Sequence, residues 1–430
     1  MPHRPTISLA LSPLAACLAI ALCSLPVDAR PLPSRASARA ASYAFHAAPV
    51  GGTTLPVASC LDDSSGGTLR EVLASAGEGD TIDLSGLACS TITLAQGELA
   101  TALDDVNLLG PSDHELTIDA ASMSRVIDHT GAGTLGLSHL GIRNGHIAGT
   151  VAHAACIYSA GSVDADHVHV ADCQNLAYPS TGGGLVAMNS ATIVDSSITG
   201  SNGGFGGGGV YSGSGTLTIE RSTISGNTAL HGAGAYAYYG AMSVVDSTIS
   251  GNTATGSGGG GIRANYGLDL VNSTVSSNTA ASYGGGVEFG SDANIRNSTI
   301  VFNQASLGAV SGNNMATLTL TSSIVALNTV SDINHVTTVN GSHNVIMAAT
   351  VTVPADTLTG DPGIGPLADN GGPTQTHALL PGSIALENGD NPDALATDQR
   401  GFARTSGAAI DIGAYELQPD LIFADGFDSP

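Results

Sequence analysis

Lysine and tryptophan are absent from this chain, so all 12 of its basic residues are arginines. Only 11% of the 430 residues are charged, yet the net charge is −24. No basic patch is available for phosphate groups, which excludes nucleic acid as an expected partner. The acid excess also repels anionic membranes and polyanionic sugars unless cations mediate. Beyond the N-terminal region no apolar run approaches the ~20 residues of a membrane helix. The repeating stretches also lack long runs of strong helix formers, being built of Ser, Thr, Gly, Val, Ile and Asn, which argues against helical repeats.

What the chain does have is a period. An apolar anchor closes each of Asp-Ser-Ser-Ile198, Arg-Ser-Thr-Ile224, Asp-Ser-Thr-Ile249, Asn-Ser-Thr-Val275, Asn-Ser-Thr-Ile300 and Thr-Ser-Ser-Ile324, at steps of 26, 25, 26, 25 and 24 residues. Three residues after four of these anchors stand Asn227, Asn252, Asn278 and Asn303. Glycine clusters follow, ending in Val210, Ala235, Ile262, Val287 and Val310, and then short alternating strands such as Leu268–Val271. Three short β segments with glycine or asparagine corners fill about 25 residues, and successive coils then stack at about 4.8 Å. Stacked Ile and Val fill the interior, while the asparagines pair their amides and take the tight corner conformation. Ile142 and Val170 extend the frame upstream at steps of 28, giving roughly eight to ten coils. The expected fold is all-β: a right-handed parallel β-helix of the pectate-lyase-like kind.

The ends of the chain depart from the period. Residues 1–29 read as a signal peptide, with Arg4, an apolar run from Ile7 to Leu25, and a small-residue site at Val27-Asp28-Ala29. Leu14-Ala15-Ala16-Cys17 has the form of a lipoprotein processing box, but the strongly apolar residues after Cys17 favour cleavage at Ala29. Residues 30–52 form a flexible leader and residues 53–90 an N-terminal cap. Within that cap Thr68–Ala76 is an amphipathic helix placing Leu69, Val72 and Leu73 on one face. The β-helix occupies residues 91–350, an irregular C-terminal cap 351–416 and a tail 417–430. After signal removal Cys60, Cys89, Cys156 and Cys173 remain, an even count that suggests disulfides in an oxidising compartment. Of three pairings, Cys60–Cys89 with Cys156–Cys173 minimises loop length.

Several motifs carry family resemblances. Thr68–Ala76 resembles the Leu-Arg-Glu-Ala N-terminal cap of bacterial secreted β-helices, with Val72 in place of Ala. Pro366-Leu-Ala-Asp-Asn-Gly-Gly-Pro-Thr-Gln-Thr-His377, Asp398-Gln-Arg-Gly-Phe-Ala-Arg404 and Asp411-Ile-Gly-Ala-Tyr-Glu416 resemble the C-terminal module of choice-of-anchor Q proteins. That resemblance implies a secreted or surface-attached protein. Gly259-Gly-Gly-Ile262 with Ile249-Ser-Gly-Asn252 resembles the chlamydial polymorphic outer-membrane protein repeat, with Ile or Val in place of Phe. The final Leu421–Asp428 resembles a tail on exported proteins of some gammaproteobacteria. These resemblances imply secretion from, or display on, a Gram-negative cell surface.

Chemistry is harder to read. A lyase needs a base such as Arg, Lys or Tyr, and a hydrolase needs converging carboxylates. The coils offer Arg143, Arg221, Arg263 and Arg296, with Asp195, Glu220, Asp246, Asp269, Glu288 and Asp292 thinly spread. No catalytic residue is assigned on this basis. Asp369, His377, Arg400 and Asp411 in the C-terminal module read as a polar network locking an irregular cap. Gly131–Gly136 fits GxGxxG but lacks a βαβ unit and reads as a turn.

Two features need a reason beyond the coil. His139, His167 and Asp195 share the position three before the anchor, about 4.8 Å apart on successive rungs, and form a candidate divalent-metal site. Tyr211, Tyr236, Tyr238, Tyr266 and Tyr283 recur beside the glycine clusters and are candidate sugar-stacking residues. No other cofactor is expected. The sequence reading is a monomeric adhesive or glycan-binding module on an extracellular partner, with a polysaccharide lyase or hydrolase as the alternative.

Overall fold

The computed structural model describes residues 52–149, 153–177, 179–313 and 315–418. The signal peptide, nearly all of the leader and most of the tail lie outside these residues. The described residues form an all-β parallel solenoid of about 11 turns with one short helix, a parallel β-helix. Three stacks of parallel strands build its walls. The first runs from Thr54–Pro56 through Leu217–Glu220 to Thr338–Ser342, the second from Thr91–Thr93 through Thr223–Ser225 to Val345–Ile346. The third is a ten-stranded sheet from Leu99–Thr101 to Ile333–Asn334. The turn count exceeds the sequence expectation because Thr54–Pro56 and Thr81–Asp83, read as part of a cap, already pair into the first stack.

The anchors stack as the period requires, with Ile198, Ile224, Ile249, Val275 and Ile300 in register and almost wholly buried. The last anchor is corrected by one residue. Ile300 pairs with Val325, while Ile324 pairs with Thr299 and joins a separate apolar cluster with Leu379 and Ile412. Because side chains alternate between faces, a slip of one residue exchanges inside for outside.

Two one-residue corners flank the second stack. The first, at His139, His167, Asp195, Arg221, Asp246, Asn272, Asn297, Ser322 and His343, has φ between 45° and 56°. The second holds Gly200, Gly226, Gly251, Ser277, Phe302 and Leu327, also at positive φ. Only glycine takes this conformation freely, with Asn, Asp and His next most tolerant. The repeating asparagines follow the second corner and do not form it, which corrects half of the expectation. Their amide pairing is present: Nδ2 of Asn227, Asn252, Asn278 and Asn303 each donates to Oδ1 of the next at 3.0, 2.9, 3.0 and 3.1 Å, the last acceptor being Asn328. Asn328 in turn donates to Asp332 at 2.9 Å. A serine ladder accompanies the first corner, where the backbone N–H groups of Ser222, Ser247 and Ser273 donate to Oγ of Ser247, Ser273 and Ser298.

The N-terminal helix α1 spans Leu69–Ser75 and starts at a capping box formed by Thr68 and Glu71, with Leu69 and Leu73 buried. Arg70 holds it to the first coils through Asp62 and the carbonyls of Gly97 and Glu98. Both expected disulfides are present, Cys60–Cys89 and Cys156–Cys173.

The C-terminal segment begins on the last coils and then turns back along the solenoid. Ala349, Val351 and Val353 pack against the main core near the last coils, and Leu358 bridges to Val345. Residues 374–414 instead lie along the outside of the second stack. Thr274 Oγ1 donates to Gln399 Oε1 at 2.6 Å, Gln399 Nε2 donates to Thr248 Oγ1 at 2.9 Å, and the Ala414 N–H donates to Thr299 Oγ1 at 3.1 Å. His377 bonds Ser276 Oγ at 2.9 Å and the Gly365 carbonyl at 2.8 Å. Arg400 makes a buried ion pair with Asp398 at 2.6 Å and lies 3.6 Å from the centroid of the Tyr415 ring. Asp369 lies apart and accepts from the Gly371 N–H. Asp411 accepts from the N–H groups of Glu387 and Leu417, so Asp369, His377, Arg400 and Asp411 share no hydrogen bond with one another among the described residues.

Candidate functional site

The third stack presents one outward line of side chains. In register these are Asp128, Tyr158, Val186, Tyr211, Tyr236, Arg263, Glu288, Ser311 and Asn334. Glycines at positive φ, four residues before each of five members, lie against this line: Gly182, Gly207, Gly232, Gly259 and Gly284. A Cβ on Gly207 would meet Tyr211 Cβ at 2.6 Å, and one on Gly232 would meet Tyr236 Cβ at 2.7 Å. The glycine clusters thus let each loop fold down onto its own strand.

This geometry sorts the candidate tyrosines. Tyr211 and Tyr236 are buried, meet edge to face with ring centroids 5.5 Å apart, and have their phenol pKa values raised by burial. They are aromatic packing over bare glycine backbone. Tyr238 is half-buried, stacks on Tyr211 and meets Tyr239 edge to face. Tyr239 and Tyr266 are the exposed rings, 60% and 43% accessible, with centroids 6.3 Å apart. Tyr239 also recurs beside a glycine cluster in the sequence, where nothing in the repeat separates its exposed ring from buried Tyr236.

Beside this exposed pair opens a cleft of about 320 Å³ lined by Arg263, Asn265, Tyr283, Glu288, Asn313 and His335, with Phe289 and two glycines in its wall. Glu288 lies 3.6 Å from Arg263 Nε, and its Oε2 is buried without a hydrogen-bond partner. Burial raises the Glu288 carboxyl above its ordinary pKa, against the opposing pull of Arg263. The Arg263 guanidinium sits 5.3 Å from the Tyr236 ring centroid and donates to Asn265 Oδ1 at 3.3 Å. Asn265 ties the cleft to the tyrosines by donating to the Tyr236 hydroxyl at 3.2 Å. Tyr283 meets His335 edge to face at 5.1 Å. Arg263, Glu288 and Tyr283 were visible in the sequence as separate residues. His335 escaped it, and the signal that finds it is its register position, following Asn334 on the next coil but one after Glu288.

A second Arg–acid–Tyr group stands upstream, with its Asp128 and Tyr158 on the same line. Arg125 also lies 5.3 Å from a tyrosine ring, that of Tyr158, but is held by Asp128, by Glu98 at 3.8 Å and by the Ala154 carbonyl at 3.2 Å. That group is satisfied internally, whereas the Glu288 group is not.

The metal candidate is rearranged. His139 and His167 lie one rung apart with rings parallel within 2° and centroids 4.8 Å apart. They stack face to face, and His167 Nδ1 is bonded to Asp166 Oδ1 at 2.9 Å. The donor atoms that approach one another are those of Asp166, His167 and Asp195, all within 4.8 Å. Arg221 already grips both oxygens of Asp195, at 2.8 and 2.7 Å. Arg221 thereby supplies a positive charge to that carboxylate, as a polar corner ladder would.

No helix among the described residues is long and apolar enough to cross a membrane, which leaves β-barrels untested. No family model and no curated protein matches the chain. Among solved structures, pectate lyase Pel9A aligns at 13% identity and a TM-score of 0.49, over 85% of this chain and 96% of its own. The PL6 family alginate lyase AlyGC aligns at 13% identity and a TM-score of 0.35, over 85% of this chain and 59% of its own. At these values what this chain does must be read from its own residues.

Proposed function

We propose that this chain is an exported β-helix that binds an extracellular glycan on the outer face of its third stack. The observation that carries this reading is the pair of exposed rings, Tyr239 and Tyr266, beside a polar cleft holding Arg263, Tyr283, Glu288 and His335. Exposed tyrosine faces stack on sugar rings, and convergent polar groups in a recess orient hydroxyls. Export is supported by the apolar N-terminal run and by two disulfides. The resemblances to choice-of-anchor Q and polymorphic outer-membrane proteins support an adhesive role at a Gram-negative surface.

A glycan array tests this directly. Wild type is expected to select a small set of linear polysaccharides, and Tyr239→Ala with Tyr266→Ala to lose them while keeping the wild-type melting temperature. Binding left unchanged by both substitutions would remove the ligand face. The second reading, cleavage of the bound chain by a lyase or hydrolase, is favoured by one observation: an arginine, a tyrosine and a carboxylate meet in one cleft.

A further inference from the structure

The cleft holds groups suited to proton transfer but few suited to binding an acidic sugar. Its one arginine, Arg263, is paired with Glu288 at 3.6 Å and lies over the Tyr236 ring. Lysine is absent from the chain, and the net charge is −24. Elimination beside a uronate needs its carboxylate neutralised, and no unpaired arginine is left in this cleft to do so. Hydrolysis of an uncharged glycoside has no such requirement. It needs a carboxylic acid at the leaving oxygen and a base for water on the other side.

Glu288 is the one carboxylate among the lining residues, so the arrangement of two facing carboxylates is not available. The remaining group able to accept a proton is His335, whose imidazole touches the Tyr283 ring and forms no hydrogen bond to the described residues. His335 also sits at φ 56°. Desolvation of Glu288 favours its protonated form, as an acid donor requires.

We propose that this cleft hydrolyses an uncharged linear polysaccharide, with Glu288 as proton donor and His335 as proton acceptor. The inference rests on the glycan-binding reading and names the chemistry of that same face. Glu288 transfers its proton to the glycosidic oxygen as the bond from that oxygen to the anomeric carbon breaks. Water adds to the anomeric carbon and its proton passes to His335. Proton exchange with solvent then restores both side chains. Tyr239 and Tyr266 hold the chain alongside, one coil apart, so its long direction follows the solenoid axis.

The test uses the exported chain and a neutral polysaccharide that wild type binds on the array. Reducing ends are expected to accumulate without the ultraviolet absorbance of an unsaturated product. Glu288→Gln and His335→Ala should each lower kcat by about 100-fold or more, with a much smaller change in KM and a native circular dichroism spectrum. Wild type that binds but does not cleave overturns the inference and leaves the binding reading standing. An unsaturated product overturns hydrolysis in favour of elimination, and an undiminished rate in Glu288→Gln overturns the assigned donor. Failure to bind any glycan removes the binding reading and the inference together.

Discussion

Thr223–Ser225 and Thr248–Ser250 are the same tripeptide on adjacent coils of the second stack, yet only the second is dry. In the first, Ile224 alone is buried; in the second, Thr248 and Ser250 are buried as well. The same holds onward through Thr274–Ser276, Thr299–Val301 and Ile324–Ala326, where every residue is buried. What differs is the C-terminal module lying on the downstream coils. A threonine that meets water on one coil bonds the Gln375 carbonyl at 2.6 Å on the next. Local sequence sets which residues face out, but the covering layer decides whether outward means wet. The third stack is covered differently: its own glycine loops bury Tyr211 and Tyr236, and the cover is incomplete at Arg263 and Glu288, where a cleft stays open beside exposed rings.

The strongest way to break this contrast is to loosen the seal. Arg400→Ala leaves Asp398 buried without its partner and removes the cation from the Tyr415 ring, at an expected loss of about 3–5 kcal/mol by chemical denaturation. Hydrogen exchange should quicken at Thr248 and Thr274 and stay unchanged at Thr223.

Next in size is a pH effect centred on the seal, where the two carboxyls raised furthest lie. Burial raises Glu416 from 4.5 to about 7 and Asp246 from 3.8 to about 6. The folded state therefore holds protons that the unfolded state releases. Their stabilisation is complete below the unfolded values and is lost as pH rises through the folded ones. The melting temperature should fall as pH rises from about 4.5 to about 7, and Glu416→Gln should flatten that fall. A rise over the same window in wild type would refute the assignment.

A third substitution acts beneath the contact. Gln399→Ala strands the Thr274 hydroxyl under the module and should reduce stability by about 1–3 kcal/mol. The smallest and most direct comparison is within the repeated tripeptide. Thr248→Val should lower stability by about 1 kcal/mol, while Thr223→Val should stay within about 0.5 kcal/mol. Equal effects at both sites would mean that the module does not seal this face.

These contrasts also mark what was legible in the sequence. The coil, its anchors, the amide pairing and both disulfides could be read because each is a repeated or countable feature. The slip at Ile324 arose because Ile324 and Val325 are both apolar, and the choice between them depends on Leu379 and Ile412, more than fifty residues away. The corner residues were visible as a column but not as strained backbone, since His, Asp, Arg, Asn and Ser all occupy it. The candidate site was legible only as scattered members. Tyr283 and Glu288 share one strand while Arg263 lies on the coil before, and exposed Tyr239 follows the strand that holds buried Tyr236.

The asparagine ladder has a direction. Each amide from Asn227 to Asn303 donates one hydrogen to the amide of the following coil and the other to the anchor carbonyl of the preceding coil. Its oxygen accepts from the preceding coil, so every middle member meets the same groups on either side. The series stops at Asp332, whose carboxylate accepts from Asn328 and from the N–H groups of Met347 and Ala348 and has nothing to donate onward. Growth of this solenoid by duplication is therefore open on one side of the series and closed on the other. Longer and shorter relatives should differ in coils before Asp332 and share the terminus after it.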